Sequence, residues 1–282
     1  MLDFTPSSEL TDTPFDAGDV IRGVPVDPAW RDQAGRVRVE IQSRAESLRF
    51  YGALAGGSDA EPIIYLEGDA ISRGNRFNGD VVVGDRYLRL SPRLMQAEAE
   101  QFAAALQRPF VNLARPGVFG SSGDHGQRRR EYEVQLIDAA LSGLKEAFGW
   151  RRLDLAGQSG GGHLVAALIA RRTDVGLAVI VSGNVAVAKR NLEMKRDVDA
   201  TGYADFVDPL DTVAAVAQSP PGHILMLTDP GDTVVSAAVQ DAYAAALRQA
   251  GVAVEQLFVP SLDPRHHDLR LPAILAAASR LT

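Results

Sequence analysis

Short apolar runs alternate with longer amphipathic ones along most of the chain. Val37 to Ile41 reads Val-Arg-Val-Glu-Ile, the period-two pattern of a half-buried strand. Leu48 to Leu54 is a second strand, and the Ala55-Gly56-Gly57-Ser58-Asp59 stretch is turn material. Pro62 to Leu66 is a β-branched run of the kind buried strands use, ending in Glu67-Gly68-Asp69-Ala70. Residues 71–90 are rich in Gly and Arg and read as loop. Ser91-Pro92 opens a helix to Leu106, with proline in the first turn where its missing N–H costs nothing. Phe110 to Leu113 is the next strand, followed by a polar loop, residues 114–125. Glu131 to Phe148 places Val134, Ile137, Leu141 and Leu144 on one helical face. Further strands are expected at 153–156, 177–181, 224–228 and 252–259. Helices are expected from the glycine-rich turn to about Arg172, from Ser236 to Ala250 and from Pro272 to Leu281. This rhythm predicts an α/β fold with a mostly parallel sheet and helices on both faces.

Residues 1–35 are polar and Pro-rich, and read as an N-terminal arm before one domain spanning 36–282. Residues 184–219 break the rhythm where a sheet edge would open, which suggests a small cap segment. The 282 residues are 46% hydrophobic, enough for one large core. The net charge of −7 argues against nucleic acid or an anionic membrane as partner. The absence of cysteine removes disulfides, thiolate metal sites and a cysteine nucleophile together. No apolar run approaches the roughly 20 residues of a membrane span. The first residues lack the basic and apolar regions of a secretory signal, so a soluble, cytoplasmic protein is expected.

The chemistry concentrates at Leu153-Asp154-Leu155-Ala156-Gly157-Gln158-Ser159-Gly160-Gly161-Gly162-His163. An apolar strand, a Gly-x-Ser-x-Gly turn and an apolar helix in succession form the context of a nucleophile elbow. A serine there has strained backbone angles, and Gly157 and Gly161 allow strand and helix to approach. Gly160 offers a backbone N–H at an electropositive helix start, suited to a developing oxyanion. The serine needs a base, and the base needs an orienting carboxylate. Of five histidines, His266 and His267 lie after the last strand, at the sheet edge where ligands bind. His267 is the preferred base and His266 the alternate. His163 reads as a local packing or capping residue, and His125 and His223 sit in loop positions. Asp232 follows the strand ending at Thr228 and is the expected acid, with Asp229 capping the Pro230-Gly231 turn.

Gly157 to Gly161, Asp229 to Val235 and the His266-His267 pair resemble the α/β-hydrolase superfamily, from about residue 37 onward. The resemblance implies an α/β-hydrolase fold and a serine triad in the order Ser159, Asp232, His267, with no cofactor and no metal. It also implies a second oxyanion donor at the backbone N–H of Asp69, where Glu67-Gly68-Asp69 replaces the family's frequent His-Gly-x. The Asp69 carboxylate is then expected to turn away from the serine and meet backbone donors or an arginine such as Arg73. Arg115 to Ser121 is similar to the family's Arg-Gly-x-Gly-x-Ser loop. The Arg128-Arg129-Arg130 run reads as the solvated start of a helix, and Tyr203 and Phe206 as anchors into the core.

The leading expectation is a serine hydrolase acting on a small-molecule ester. The alternative is a peptidase similar to prolyl oligopeptidase, cleaving small peptides, and a non-catalytic binding protein on this frame is the third. The substrate-binding residues and the oligomeric state are not legible in the sequence.

Overall fold

A computed structural model of the chain describes residues 3–4, 9–30, 33–54 and 61–270. Eight strands form one sheet in the order β1-β2-β6-β3-β7-β8-β9-β10. These are β1 (Arg36–Ile41), β2 (Arg44–Ala53), β3 (Ile63–Leu66), β6 (Phe110–Leu113), β7 (Leu153–Gln158), β8 (Val175–Val181), β9 (His223–Thr228) and β10 (Glu255–Phe258). The expected closing helix at 272–281 and the 55–59 turn lie outside the described residues. By its contacts the chain divides into two compact units. The first is Met1–Ile64, Asp69–Arg151 and Ala200–Tyr203, and the second Tyr65–Gly68, Arg152–Asp199 and Ala204–Thr282.

In the first unit, β1 and β2 form a hairpin turned by Gln42 and Ser43, both at positive φ, and β2 runs antiparallel to β6. Helix α3 (Pro92–Leu106) packs on β2 and β6. The Ser91 hydroxyl accepts the Leu94 N–H at 3.3 Å and supplies the N-cap that the Ser-Pro pair predicts. Helix α4 (Glu131–Phe148) packs on β1 and stops at Gly149, whose φ of 70° is the left-handed conformation that ends helices. Two expectations change here. Residues 71–90 are not all loop: they form a small ribbon of β4 (Ile71–Arg73) with β5 (Val82–Val83), then helix α2 (Asp85–Arg89). The N-terminal arm holds a short helix, α1 (Ala17–Arg22), because Asp16 caps it by accepting the Gly18 N–H at 2.8 Å.

In the second unit, β7, β8, β9 and β10 are parallel neighbours. All of β7 is buried, as are the last five residues of β8 and of β9, which is why these strands read as continuous apolar runs. Asp154 interrupts the run, and its carboxylate accepts the Leu177 N–H at 2.8 Å. Helix α5 (Gly160–Leu168) packs on β7 and β8, and α8 (Ala237–Gln249) follows β9. Segment 184–219 is more regular than its sequence suggests, holding α6 (Val187–Glu193), α7 (Val213–Gln218) and a 3-10 turn at Pro209–Thr212.

Candidate functional site

The turn from β7 to α5 is as tight as its glycines imply. Ser159 sits at φ 56° and ψ −112°, a conformation non-glycine residues avoid. A side chain at Gly161 would stand 2.0 Å from the Leu66 carbonyl oxygen, and one at Gly157 would stand 2.3 Å from that of Gly161. The Ser159 N–H donates to Val181 at 2.8 Å and its carbonyl accepts the His163 N–H at 3.0 Å. Gly68 also belongs to this neighbourhood: the position its Cβ would occupy is 3.4 Å from Ser159 Cβ. Gly160 is the first residue of α5, at its electropositive end.

The two loops that follow β9 and β10 carry the acids and histidines. Asp232 Oδ1 accepts the N–H groups of Val234 (2.8 Å) and Val235 (2.9 Å). Its Oδ2 faces His267 Nδ1 at 2.8 Å, and its side chain is fully buried. The carboxylate has only acceptors, so Nδ1 donates and Nε2 is left as the basic nitrogen. His267 is itself held at both ends of its backbone. Its N–H donates to Asp263 at 2.8 Å, and its carbonyl accepts Gln158 Nε2 at 2.6 Å. Gln158, which precedes Ser159, also accepts the Leu269 N–H at 3.2 Å and so ties the strand that leads to Ser159 to the loop of His267.

His266 forms a parallel pair, with its Nδ1 3.1 Å from Asp229 Oδ2. Asp229 does accept the Gly231 N–H, at 2.7 Å, and it also accepts that of Ser261 at 2.6 Å. Burial would raise the Asp229 pKa, but the Ser261 and Gly231 N–H groups and His266 outweigh it and hold it below the usual value. The same balance operates at Asp263, where the N–H groups of Asp268, Arg265 and His267 overcome the effect of burial. The sequence reading missed Gln158 and Asp263. A turn signal existed for the second, since Asp263-Pro264 begins the kind of turn in which Asp accepts backbone N–H groups.

The other histidines are placed differently. His163 is fully buried on α5, and its Nε2 lies 2.8 Å from the Val207 carbonyl, so it reaches across to segment 184–219 instead of capping locally. His223 Nε2 lies 3.3 Å from Glu255 of the adjacent strand. Glu67 is buried and stands 3.8 Å from Arg270.

Asp69 lies in the first unit, and its surroundings bear out the expectation of an arginine partner and correct the reading of the arginine run. Its carboxylate meets Arg115 (2.8 Å), Arg128 (2.9 Å) and Arg129, not Arg73. Arg128 and Arg129 are therefore buried ion-pair partners and not a solvated helix start. Only Arg130 is partly exposed, with its guanidinium 4.3 Å from the centre of the Tyr203 ring. Arg115 also bonds Glu133 through Nε at 2.9 Å. Burial would raise the Asp69 pKa, yet the charges of Arg129, Arg128 and Arg115 hold it well below the usual range. His125 is fully buried beside these cations. Burial and the charges of Arg115 and Arg128 push it well below 6.5, and its Nε2 accepts the Ala70 N–H at 3.0 Å.

Among the described residues no cluster of His, Asp or Glu is grouped to hold a metal ion, and no helix is long and apolar enough to cross a membrane. No protein-family model matches the chain, and no curated protein is similar to it in sequence. Similarity appears in solved structures. The esterase Pf2001 of Pyrococcus furiosus is 12% identical at a TM-score of 0.60, over 99% of this chain and 95% of that one. Est1E of Butyrivibrio proteoclasticus, solved with ferulic acid, is 12% identical at 0.62, over 87% of this chain and 97% of that one. An acylaminoacyl peptidase of Pyrococcus horikoshii is 14% identical at 0.56, over 87% of this chain but only 39% of the peptidase. Together with the strand order, these likenesses show that the chain has the α/β-hydrolase fold.

Proposed function

We propose that this protein is a serine hydrolase that cleaves a small carboxylic ester through an acyl-enzyme. The observation that carries the reading is the buried Asp232–His267 contact of 2.8 Å, in a chain whose Ser159 occupies a strained strand-to-helix turn. In this reading His267 Nε2 takes the proton of Ser159 Oγ as the oxygen attacks the ester carbonyl. Asp232 holds the imidazole in the tautomer that can accept it and stabilises the imidazolium that forms. The backbone N–H of Gly160 receives the oxyanion. The alcohol departs with the proton from His267, and water repeats the path to release the acid. No cofactor enters these steps, and 184–219 acts as a small cap over the acyl group.

A second reading, hydrolysis of small peptides, draws support from the fold it shares with acylaminoacyl peptidases. Esters are put first because two of the three similar structures named above are esterases. The test is covalent labelling by a fluorophosphonate, then rates on p-nitrophenyl esters and aminoacyl amides. Labelling that disappears in Ser159→Ala, with esters cleaved faster, supports the reading. Folded wild-type protein that neither labels nor cleaves either class would sink it. Preference for the amides would select the peptidase.

A further inference from the structure

Two acid–histidine pairs stand on the same two loops, and the mechanism above uses one of them. Asp229 and Asp232 are three residues apart after β9, and His266 and His267 are adjacent after β10. The pairs differ in exposure: the His267 side chain is 11% exposed and that of His266 is 49% exposed. The loops are joined by several bonds besides the Asp232–His267 contact. Ser261 donates to Asp229, the Thr233 N–H and hydroxyl donate to the Arg265 carbonyl at 3.0 and 3.1 Å, and His266 meets Asp229.

His266 is built into this junction. It adopts φ 56°, a left-handed conformation that costs energy in a non-glycine residue. Its N–H donates to the Asp263 carbonyl at 3.0 Å. Its ring lies over Gly231, where a Cβ would stand 3.2 Å from His266 Cγ and 3.3 Å from Nδ1. Glycine at that position leaves the ring the space it occupies. The Asp229 carboxylate that receives the ring is fixed by two backbone N–H groups, so it cannot turn to follow a displaced partner.

We propose that His266 is a positioning residue: its Nδ1–H, bonded to Asp229, holds the acid loop and the base loop in register, so that Asp232 meets His267. His266 touches neither substrate nor the reacting atoms. It acts through the backbone it shares with His267, where a shift of about 1 Å can cost about a hundredfold in rate. This inference rests on the serine-hydrolase reading.

The test compares His266→Ala, His266→Asn and His267→Ala with wild type. It reads kcat and KM on p-nitrophenyl acetate, Tm, and the downfield proton resonance of the hydrogen-bonded His267 Nδ1–H. His266→Ala is expected to lower kcat about tenfold to a hundredfold with KM little changed, as a misplaced catalytic group does. It should also weaken the His267 proton signal. In His266→Asn the amide nitrogen takes the place of Nδ1 and donates to Asp229, so rate and signal recover. Should His266→Ala fold poorly, His266→Gly removes the ring while relieving the strained φ and is expected to give the same signature. A lowered Tm with kcat and the proton signal unchanged overturns the proposal. So does a loss in His266→Ala as deep as that in Ser159→Ala while His267→Ala stays active, which makes His266 the base. If wild type neither hydrolyses nor labels, the hydrolase reading fails, and the proton signal alone still decides whether His266 positions His267.

Discussion

Two groups of aspartates in this molecule are restrained in two ways. In the first unit Asp69 is gripped by three guanidinium groups, beside Glu133 and a neutralised His125. In the second unit Asp229, Asp232 and Asp263 are gripped by backbone N–H groups, and the first two each face a histidine as well. Guanidinium groups reach in on long side chains, so their grip depends on how the charges balance. Three cations against two carboxylates leave a positive excess, and burial together with that excess keeps His125 uncharged. Backbone N–H groups are placed by the turn itself. They fix the direction in which each carboxylate oxygen points. The acids that aim a ring are thus held by backbone, and the acid that anchors a chain segment is held by arginine.

Breaking each arrangement should give opposite signatures. The largest effect is expected from Asp232→Asn, which keeps an oxygen for Val234 and Val235 but presents an N–H where His267 needs an acceptor. Ester hydrolysis should fall about 10⁴-fold with Tm nearly unchanged, because the imidazole is left in the wrong tautomer. A residual rate near wild type would remove Asp232 from the mechanism. Asp69→Ala should act on the fold, costing about 3–5 kcal/mol in denaturant unfolding, since it leaves buried guanidinium groups without their counter-charge. Adding Arg129→Met should restore part of that loss, and an additive double variant would contradict a coupled cluster.

Within the first unit the pH dependence separates two groups. The folded-state pKa of His125 lies well below 6.5, so between those values the unfolded chain binds a proton that the native protein does not. Its contribution is complete above about pH 6.5 and declines as pH falls toward the folded value, by about 1.4 kcal/mol per pH unit. His125→Gln should flatten this slope in urea titrations from pH 7 to 5. Asp69, whose pKa is depressed from 3.8, contributes stability that is complete above that value and lost only at lower pH, as pH falls through its folded pKa. The smallest expected change is Asp263→Ala. It strips the acceptor from the Arg265, His267 and Asp268 N–H groups and should cost about 1–3 kcal/mol. A loss of ester hydrolysis beyond that of His266→Ala would give Asp263 more than a supporting part.

Much of the fold was legible because local signals agreed with the final packing. The Ser91-Pro92 start, the Phe110–Leu113 strand and the apolar stripe of Glu131–Phe148 all stand where their patterns put them. Residues 71–90 were misread because a two-residue strand and a five-residue helix are too short to show a period. The turn from Gly157 to Gly161 could be read because steric need dictates its glycines. The ion cluster could not, because nothing local to Arg128 and Arg129 reveals a carboxylate some sixty residues earlier. Two adjacent histidines also look alike in sequence. Their burial and their different acid partners distinguish them, and both arise only when distant loops meet.

The side chain of Gln158 has a consequence for the order in which the protein acquires its parts. Its bonds to His267 and Leu269 span 109 and 111 residues, whereas the serine turn closes over four, from Ser159 to His163. Contacts of long sequence separation carry a greater loop-closure cost and form late. A refolding chain is therefore expected to form the Ser159 turn before His267 docks beside it. On the proposed mechanism, hydrolysis waits for that docking. Recovery of activity after dilution from denaturant should lag the recovery of far-ultraviolet ellipticity, and the lag times the docking of the last loop.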